Sequence, residues 1–313
     1  MTEQIAAVNG IEVAYETFGD PGDPALLLIM GLGMQMVAWD TAFCDQLVAG
    51  GFHVVRFDNR DAGHSSKIEG GPRPNLPAAI LGLTGSVSYS LADMAADAVG
   101  LLDHLGIDAA HLVGASLGGM IAQTIAIQQP ARAASLCSIM AGAGRRWAEL
   151  PSPRILPVLL QRPPEDRDGA IEYLLRIFRA QGGVEDLAPD EDFLRGLAAR
   201  MHDRDHDRAG TERQAIAVLA APNRYRSLRG VRAPTLVIHG SVDPLIPARA
   251  GKTVARAIPG ARFLMIERLG HDLPPAIWPR ITAAVIANAR RAGPPPPAAA
   301  EPAAAEPAAE EAP

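Results

Sequence analysis

Apolar residues fall along this chain in two alternating textures. Ala25–Met30 is a continuous apolar run, and short β-leaning runs rich in apolar residues occur at His53–Asp58, His111–Val113, Ser135–Met140, Thr235–His239 and Ala261–Ile266. Their length and β-leaning content suit strands buried on both faces. Between them the apolar positions lie three and four apart, over Trp39–Val48, Leu91–Leu105, Met120–Ile127, Pro247–Ala257 and Ala276–Ala292. That is the spacing of helices with one buried face. In Leu91–Leu105 the positions Leu91, Met94, Ala95, Ala98, Leu101, Leu102 and Leu105 share a face, and Gly106 supplies the stop. Strands alternating with helices predict an α/β protein with a mostly parallel sheet and right-handed crossovers. Ahead of them, Ile5–Val8 and Ile11–Phe18 flank Asn9-Gly10, a pair suited to the type I′ turn of a hairpin.

The rhythm breaks in three places. Ile68–Tyr89 starts Gly- and Pro-rich and turns apolar from Leu76 to Leu83, an excursion over the top of the sheet with room for one helical turn. From Gly144 to about Arg226, Pro-rich turns alternate with helical patterns at Gly169–Arg179, Asp190–His202 and Thr211–Leu219. Gly293–Pro313 is Pro/Ala/Glu-rich, low in complexity and expected to be disordered. The expected organisation is therefore a first core part at 1–143, a helical cap insertion at 144–226, a second core part at 227–292 and a tail at 293–313.

Charge and cysteines narrow the function classes. The formal net charge of the 313 residues is −6, but four unpaired glutamates stand in the last thirteen positions. Without them the body is near neutral, so no nucleic-acid-binding field is expected. Cys44 and Cys137 lie far apart with no CxxC, which points to buried reduced thiols and neither a disulfide frame nor a metal site. No signal peptide is visible at MTEQIAAVNG, and Ala25–Met34 is too short to cross a bilayer. A cytoplasmic protein with no membrane role is the expectation.

The candidate chemistry sits at Gly114-Ala115-Ser116-Leu117-Gly118-Gly119, where a strand turns directly into a helix. The bland alternative is a Gly-rich turn with a capping serine. A nucleophile reading requires more: small residues two before and two after the serine, and an exposed hydroxyl at a helix N-terminus. Such a serine needs a base and an orienting carboxylate beyond the carboxyl ends of the strands. Asp243 follows the strand Thr235–His239, and His271 follows the strand Ala261–Ile266. His271 would take the Ser116 proton, and Asp243 would hold the imidazole tautomer. The amides of Leu117 and Leu32 would receive the oxyanion. Met34, Met36 and Met140, with Met120, are candidate pocket walls, although core packing explains Met120 and Met140 equally well. Of the other histidines, His239 reads as a core residue, and His202 and His206 as solvated.

Taken together, the elbow, the loop Met30-Gly31-Leu32-Gly33, DxxP after one strand and GH after the next resemble the α/β-hydrolase superfamily over residues 1 to about 292. Three texts resemble the aclacinomycin methylesterase group within it: LLLIMGLGMQMVAWD (Leu26–Asp40), VVRFDNRDAGHSS (Val54–Ser66) and LADMAADAVGLLDHLG (Leu91–Gly106). Many relatives carry His-Gly where this chain has Met30-Gly31. The superfamily loop DxRGxGxS here has Asp61 in place of its glycine, a change shared by the methylesterase-like group. The resemblance implies an α/β-hydrolase fold and a serine hydrolase that cleaves a carboxylic ester, in that group a bulky methyl ester. It implies a small-molecule apolar ester as substrate and no cofactor. Serine at position 116 argues against the aspartate-nucleophile dehalogenases and epoxide hydrolases. Perhydrolase, haloperoxidase or lactonase activity uses the same triad, and a receptor with little turnover is the alternative from outside enzymology.

Overall fold

In a computed structural model the described residues are 2–69, 71–83, 85–145, 149–159, 161, 164–184, 187 and 190–293. The expected disordered tail lies outside them except for Gly293. The N-terminal hairpin is β1 (Gln4–Val8) and β2 (Ile11–Phe18), turning through Asn9 and Gly10 at φ 49° and 76°. Then come β3 (Ala25–Ile29), α1 (Thr41–Ala49), β4 (His53–Phe57), the short α2 (Leu76–Ile80) and α3 (Leu91–His104). Helix α3 opens on a capping box, with Ser90 and Asp93 satisfying each other's backbone amides. Helix α1 begins two residues later than the apolar spacing predicts, because the Asp40 carboxylate accepts from Ala42 N and caps it there.

Next are β5 (Ala110–Ala115), α4 (Leu117–Gln128) and β6 (Ala133–Ile139). Four helices follow with no strand among the described residues: α5 (Leu156–Leu159), α6 (Arg167–Gln181), α7 (Glu191–Arg204) and α8 (Arg208–Ala220). The chain returns to the sheet with β7 (Thr235–Gly240), α9 (Ala248–Ala257), β8 (Arg262–Ile266) and α10 (Trp278–Ala289). Asp166, Asp190 and Asp207 cap α6, α7 and α8, so each starts upstream of, or at the edge of, its apolar repeat.

The eight strands form one sheet in the order β1-β2-β4-β3-β5-β6-β7-β8. Strand β2 alone runs against its neighbours, and every pairing from β4 to β8 is parallel. The mostly parallel α/β sheet expected from the alternating textures is the one found. Helices α3, α4 and α9 pack their apolar faces on one side of the sheet, and α1 and α10 on the other. The chain leaves β3 for β4 on one flank and returns to β5 on the other. This reversal opens a crevice beyond the carboxyl ends of β3 and β5, where ligands of open α/β sheets bind.

Candidate active site

Two loops meet in that crevice. At the end of β5 the chain turns into α4 through Ser116, whose φ of 55° and ψ of −119° lie in a region L-residues rarely occupy. Such a conformation costs on the order of 1–3 kcal/mol and persists only where the surroundings enforce it. Two glycines permit the turn. A Cβ on Gly114 would fall 2.1 Å from the Gly118 carbonyl oxygen, and one on Gly118 would fall 2.0 Å from that of Ile29. The Ser116 side chain makes no capping bond to α4. As the first residue of α4, Leu117 has an amide with no intrahelical acceptor. The second loop follows β3. Gly31 lies so close that a Cβ there would sit 3.2 Å from Ser116 Cβ, and Met34 N–H closes a turn on the Gly31 carbonyl at 3.2 Å.

Across the crevice the loops after β7 and β8 supply a carboxylate and an imidazole. His271 Nδ1 lies 2.7 Å from Asp243 Oδ2. Asp243 Oδ1 accepts from the amides of Leu245 and Ile246, both at 2.8 Å, so neither carboxylate oxygen is idle. Burial pushes this carboxyl up, but the His271 charge and the hydrogen bonds of His239 and His271 outweigh it. The net result is a pKa well below the usual carboxylate range. His271 is held from its own backbone, where its N–H donates to the Gln181 carbonyl at 2.7 Å.

Ser116 and His271 line the same cavity, about 1810 Å³ in volume. Leu32, Leu117, Met34, Met120 and Met140 line it too. Met36 does not. It is fully buried in the turn before α1, and its amide donates to Asp58 at 2.6 Å, so its expected place in the pocket wall is corrected to core. Tyr173, Leu174, Ile177 and Phe178 from α6, with Leu194, Leu197 and Met201 from α7, bring apolar surface to the opposite wall.

Several side-chain contacts escaped the sequence reading. His239 is a core residue as expected, but its Nε2 also sits 3.3 Å from Asp243 Oδ2 while bonding the Ile246 carbonyl at 2.7 Å. Beside His271 stands Asp272, whose two carboxylate oxygens are buried. Burial pushes this carboxyl up to about 6, although the Gly183 and Gly270 amides and the His271 charge pull the other way. His202 and His206 stack with ring centroids 5.0 Å apart and stand on the cavity wall, rather than on a purely solvated face. Asp61, the residue that departs from the common superfamily loop, forms a bidentate pair with Arg213 at 2.7 and 2.8 Å. Among the described residues no cluster of His, Cys, Asp and Glu could hold a metal ion, and no helix is long and apolar enough to cross a membrane. Cys44 and Cys137 are buried and unbonded to each other, and burial pushes the Cys44 thiol up to about 12.

The family described as "alpha/beta hydrolase fold" matches residues 24–274. The chain belongs to the α/β-hydrolase family. It is 32% identical over 301 residues to the rhodomycin D methylesterase of Streptomyces peucetius, covering 88% of this chain and 94% of that one. A second rhodomycin D methylesterase, from Streptomyces sp. strain C5, is 32% identical over 316 residues, covering 93% and 99%. Among solved structures, the enol-lactonase of Burkholderia xenovorans LB400 superposes with a TM-score of 0.72 at 23% identity, over 91% of this chain and 99% of that one. That likeness bears on the fold alone. Within the α/β-hydrolase family, a strand–serine–helix turn facing a carboxylate–imidazole pair is the arrangement used for acyl transfer.

Proposed function

We propose that this α/β-hydrolase is a serine carboxylic ester hydrolase acting on a methyl or other small-alkyl ester of a bulky apolar acid. The observation that carries the reading is the Ser116 turn and the Asp243–His271 pair opening onto one large cavity. His271 Nε2 takes the Ser116 proton as Oγ attacks the ester carbonyl. The amides of Leu117 and Leu32 receive the oxyanion, and the imidazolium returns its proton to the departing alkoxide. Asp243 keeps Nδ1 protonated and stabilises the imidazolium, a role that its hydrogen-bonded, ionised state favours. Water, activated by the same imidazole, then releases the acid.

Cavity size supports the substrate class. At about 1810 Å³ it exceeds the roughly 300–1,000 Å³ of ordinary ligand pockets, and its walls are mainly apolar. The methylesterase names of the two Streptomyces relatives, at 32% identity over most of both chains, favour a methyl ester. The wall formed by α6 and α7 selects the acid, while the loops of the sheet carry the reaction. Steady-state assays on methyl esters of graded acid size test this. The reading expects kcat/KM to rise with apolar acid size by tenfold or more, on wild-type enzyme with continuous turnover. A preference for short-acyl esters, or a single burst without turnover, would replace it with a small-ester esterase or a receptor.

A further inference from the structure

Helix α8 touches the loop that carries Leu32 through a residue with no expected role. Gln214 is fully buried. Its Oε1 accepts from Gly33 N–H at 2.8 Å, and its Nε2 donates to the Arg60 carbonyl at 2.8 Å. One side-chain amide therefore bridges the loop after β3 and the loop after β4, from a helix belonging to neither. The surrounding contacts are equally close. A Cβ on Gly33 would meet Thr211 Cγ2 at 3.0 Å, and one on Gly210 would meet the Asp61 carbonyl oxygen at 2.4 Å. Arg213, one residue before Gln214, holds Asp61, whose φ is 68° and whose side chain also accepts from Ile68 N at 2.8 Å.

Gly33 is where orientation is decided. Gly31 to Met34 is a tight turn with Gly33 at φ 68°. In a turn of this kind the central peptide has two alternative orientations, and the left-handed residue permits one of them. The Gln214 acceptor fixes which way the Leu32–Gly33 peptide faces. It thereby constrains the preceding Gly31–Leu32 peptide, whose N–H is the proposed oxyanion donor. A buried glutamine with both ends bonded has little freedom to release it, because a lost partner leaves a buried polar group unpaired.

We infer that Gln214 is a positioning residue for the oxyanion loop, by which α8 sets the donor geometry at Leu32. The inference rests on the proposed ester hydrolysis and concerns only where that donor stands. Gln214→Leu removes both bonds. It is expected to lower kcat about ten- to hundredfold while KM stays within about threefold, because the oxyanion forms after binding. The rate of inactivation by a small serine-directed phosphonate falls by a similar factor. Gln214→Glu keeps an acceptor facing Gly33 N–H and is expected to restore kcat to within about threefold of wild type, even where its melting temperature is as low as that of Gln214→Leu. If Gln214→Leu does not fold, Gln214→Asn, one methylene short of Gly33, takes its place with the same expected split.

A folded variant with wild-type kcat, or a loss confined to KM, overturns the inference. So does equal loss in Gln214→Glu and Gln214→Leu, which would mark a purely structural residue. A parallel Ser116→Ala control separates the two layers. If that variant retains turnover, the ester-hydrolase reading fails. If it is inactive while the Gln214 variants are normal, only the positioning role fails.

Discussion

Two regions border the cavity, and they are held in place by different physics. At the elbow, position is a matter of backbone sterics. Gly114 and Gly118 leave no room for a Cβ, and Ser116 is forced to a φ of 55° between them. In the α7–α8 pair, position is a matter of buried charge and amide bonding. Arg204, at the end of α7, meets Asp58 at 2.9 Å, Gln35 at 3.0 Å and Glu3 at 2.5 Å. Asp58 is fully buried, and Gln35 Nε2 donates back to the Met201 carbonyl at 2.7 Å. Arg213 of α8 likewise holds the buried Asp61, whereas the pair between Arg167 of α6 and Asp203 of α7, at 2.7 Å, is solvated. The comparison teaches that reaction chemistry is written into short, local glycine patterns. The seating of the helices above it depends on long-range side-chain partners.

The largest effect should come from the elbow. Ser116→Ala is expected to fold normally and to lose esterase turnover by about three or more orders of magnitude, read as kcat/KM on a chromogenic ester. Turnover within tenfold of wild type would remove the elbow from the chemistry. Next, Arg204→Ala strands the buried Asp58 carboxylate and should cost about 3 kcal/mol of unfolding free energy by denaturant titration. A change no larger than that of a surface variant would mean that α7 is seated by apolar packing instead.

Asp272→Asn tests the carboxyl beside the imidazole. Its pKa is about 6 in the folded protein, above the ordinary value of 3.8, so ionisation opposes folding. Below about pH 3 both states are protonated and the group contributes nothing. The penalty grows between about 4 and 6 and is complete above. The asparagine variant should therefore be more stable than wild type by about 2–3 kcal/mol at pH 7, with the difference vanishing below about pH 3. A difference that does not change with pH would show the carboxyl to be solvated. The smallest effect belongs to Arg167→Ala, which should leave the melting temperature unchanged, because an exposed pair gains little in water. A clear drop would blur the distinction between solvated and buried partners.

Much of this was legible in the sequence, and the reasons are local. Short apolar-rich runs marked the parallel strands, because a sheet covered on both faces has no regular polar alternation. The elbow could be read because its glycines have no steric substitute. The order of Ser116, Asp243 and His271 could be read because each follows a strand end. Helix starts shifted where Asp40 or Asp207 intervened as caps, an adjustment of a few residues. What stayed hidden is side-chain geometry across long separations. Met36 looked like its pocket-lining neighbour Met34, yet the turn before α1 puts it in the core. Gln214 carries no signal in sequence, since a glutamine on a helix is ordinarily solvated. Asp61 did carry one, as the residue that replaces a glycine, but its partner Arg213 stands 152 positions away.

The most direct test of the central claim is intact-protein mass spectrometry after reaction with a small alkyl p-nitrophenyl phosphonate, followed by peptide mapping. The account predicts one adduct, on Ser116, with release of one equivalent of p-nitrophenol. It predicts no adduct in Ser116→Ala, and a rate reduced by orders of magnitude in Asp243→Asn. An adduct on another residue, or labelling that proceeds equally fast without Ser116, would contradict it.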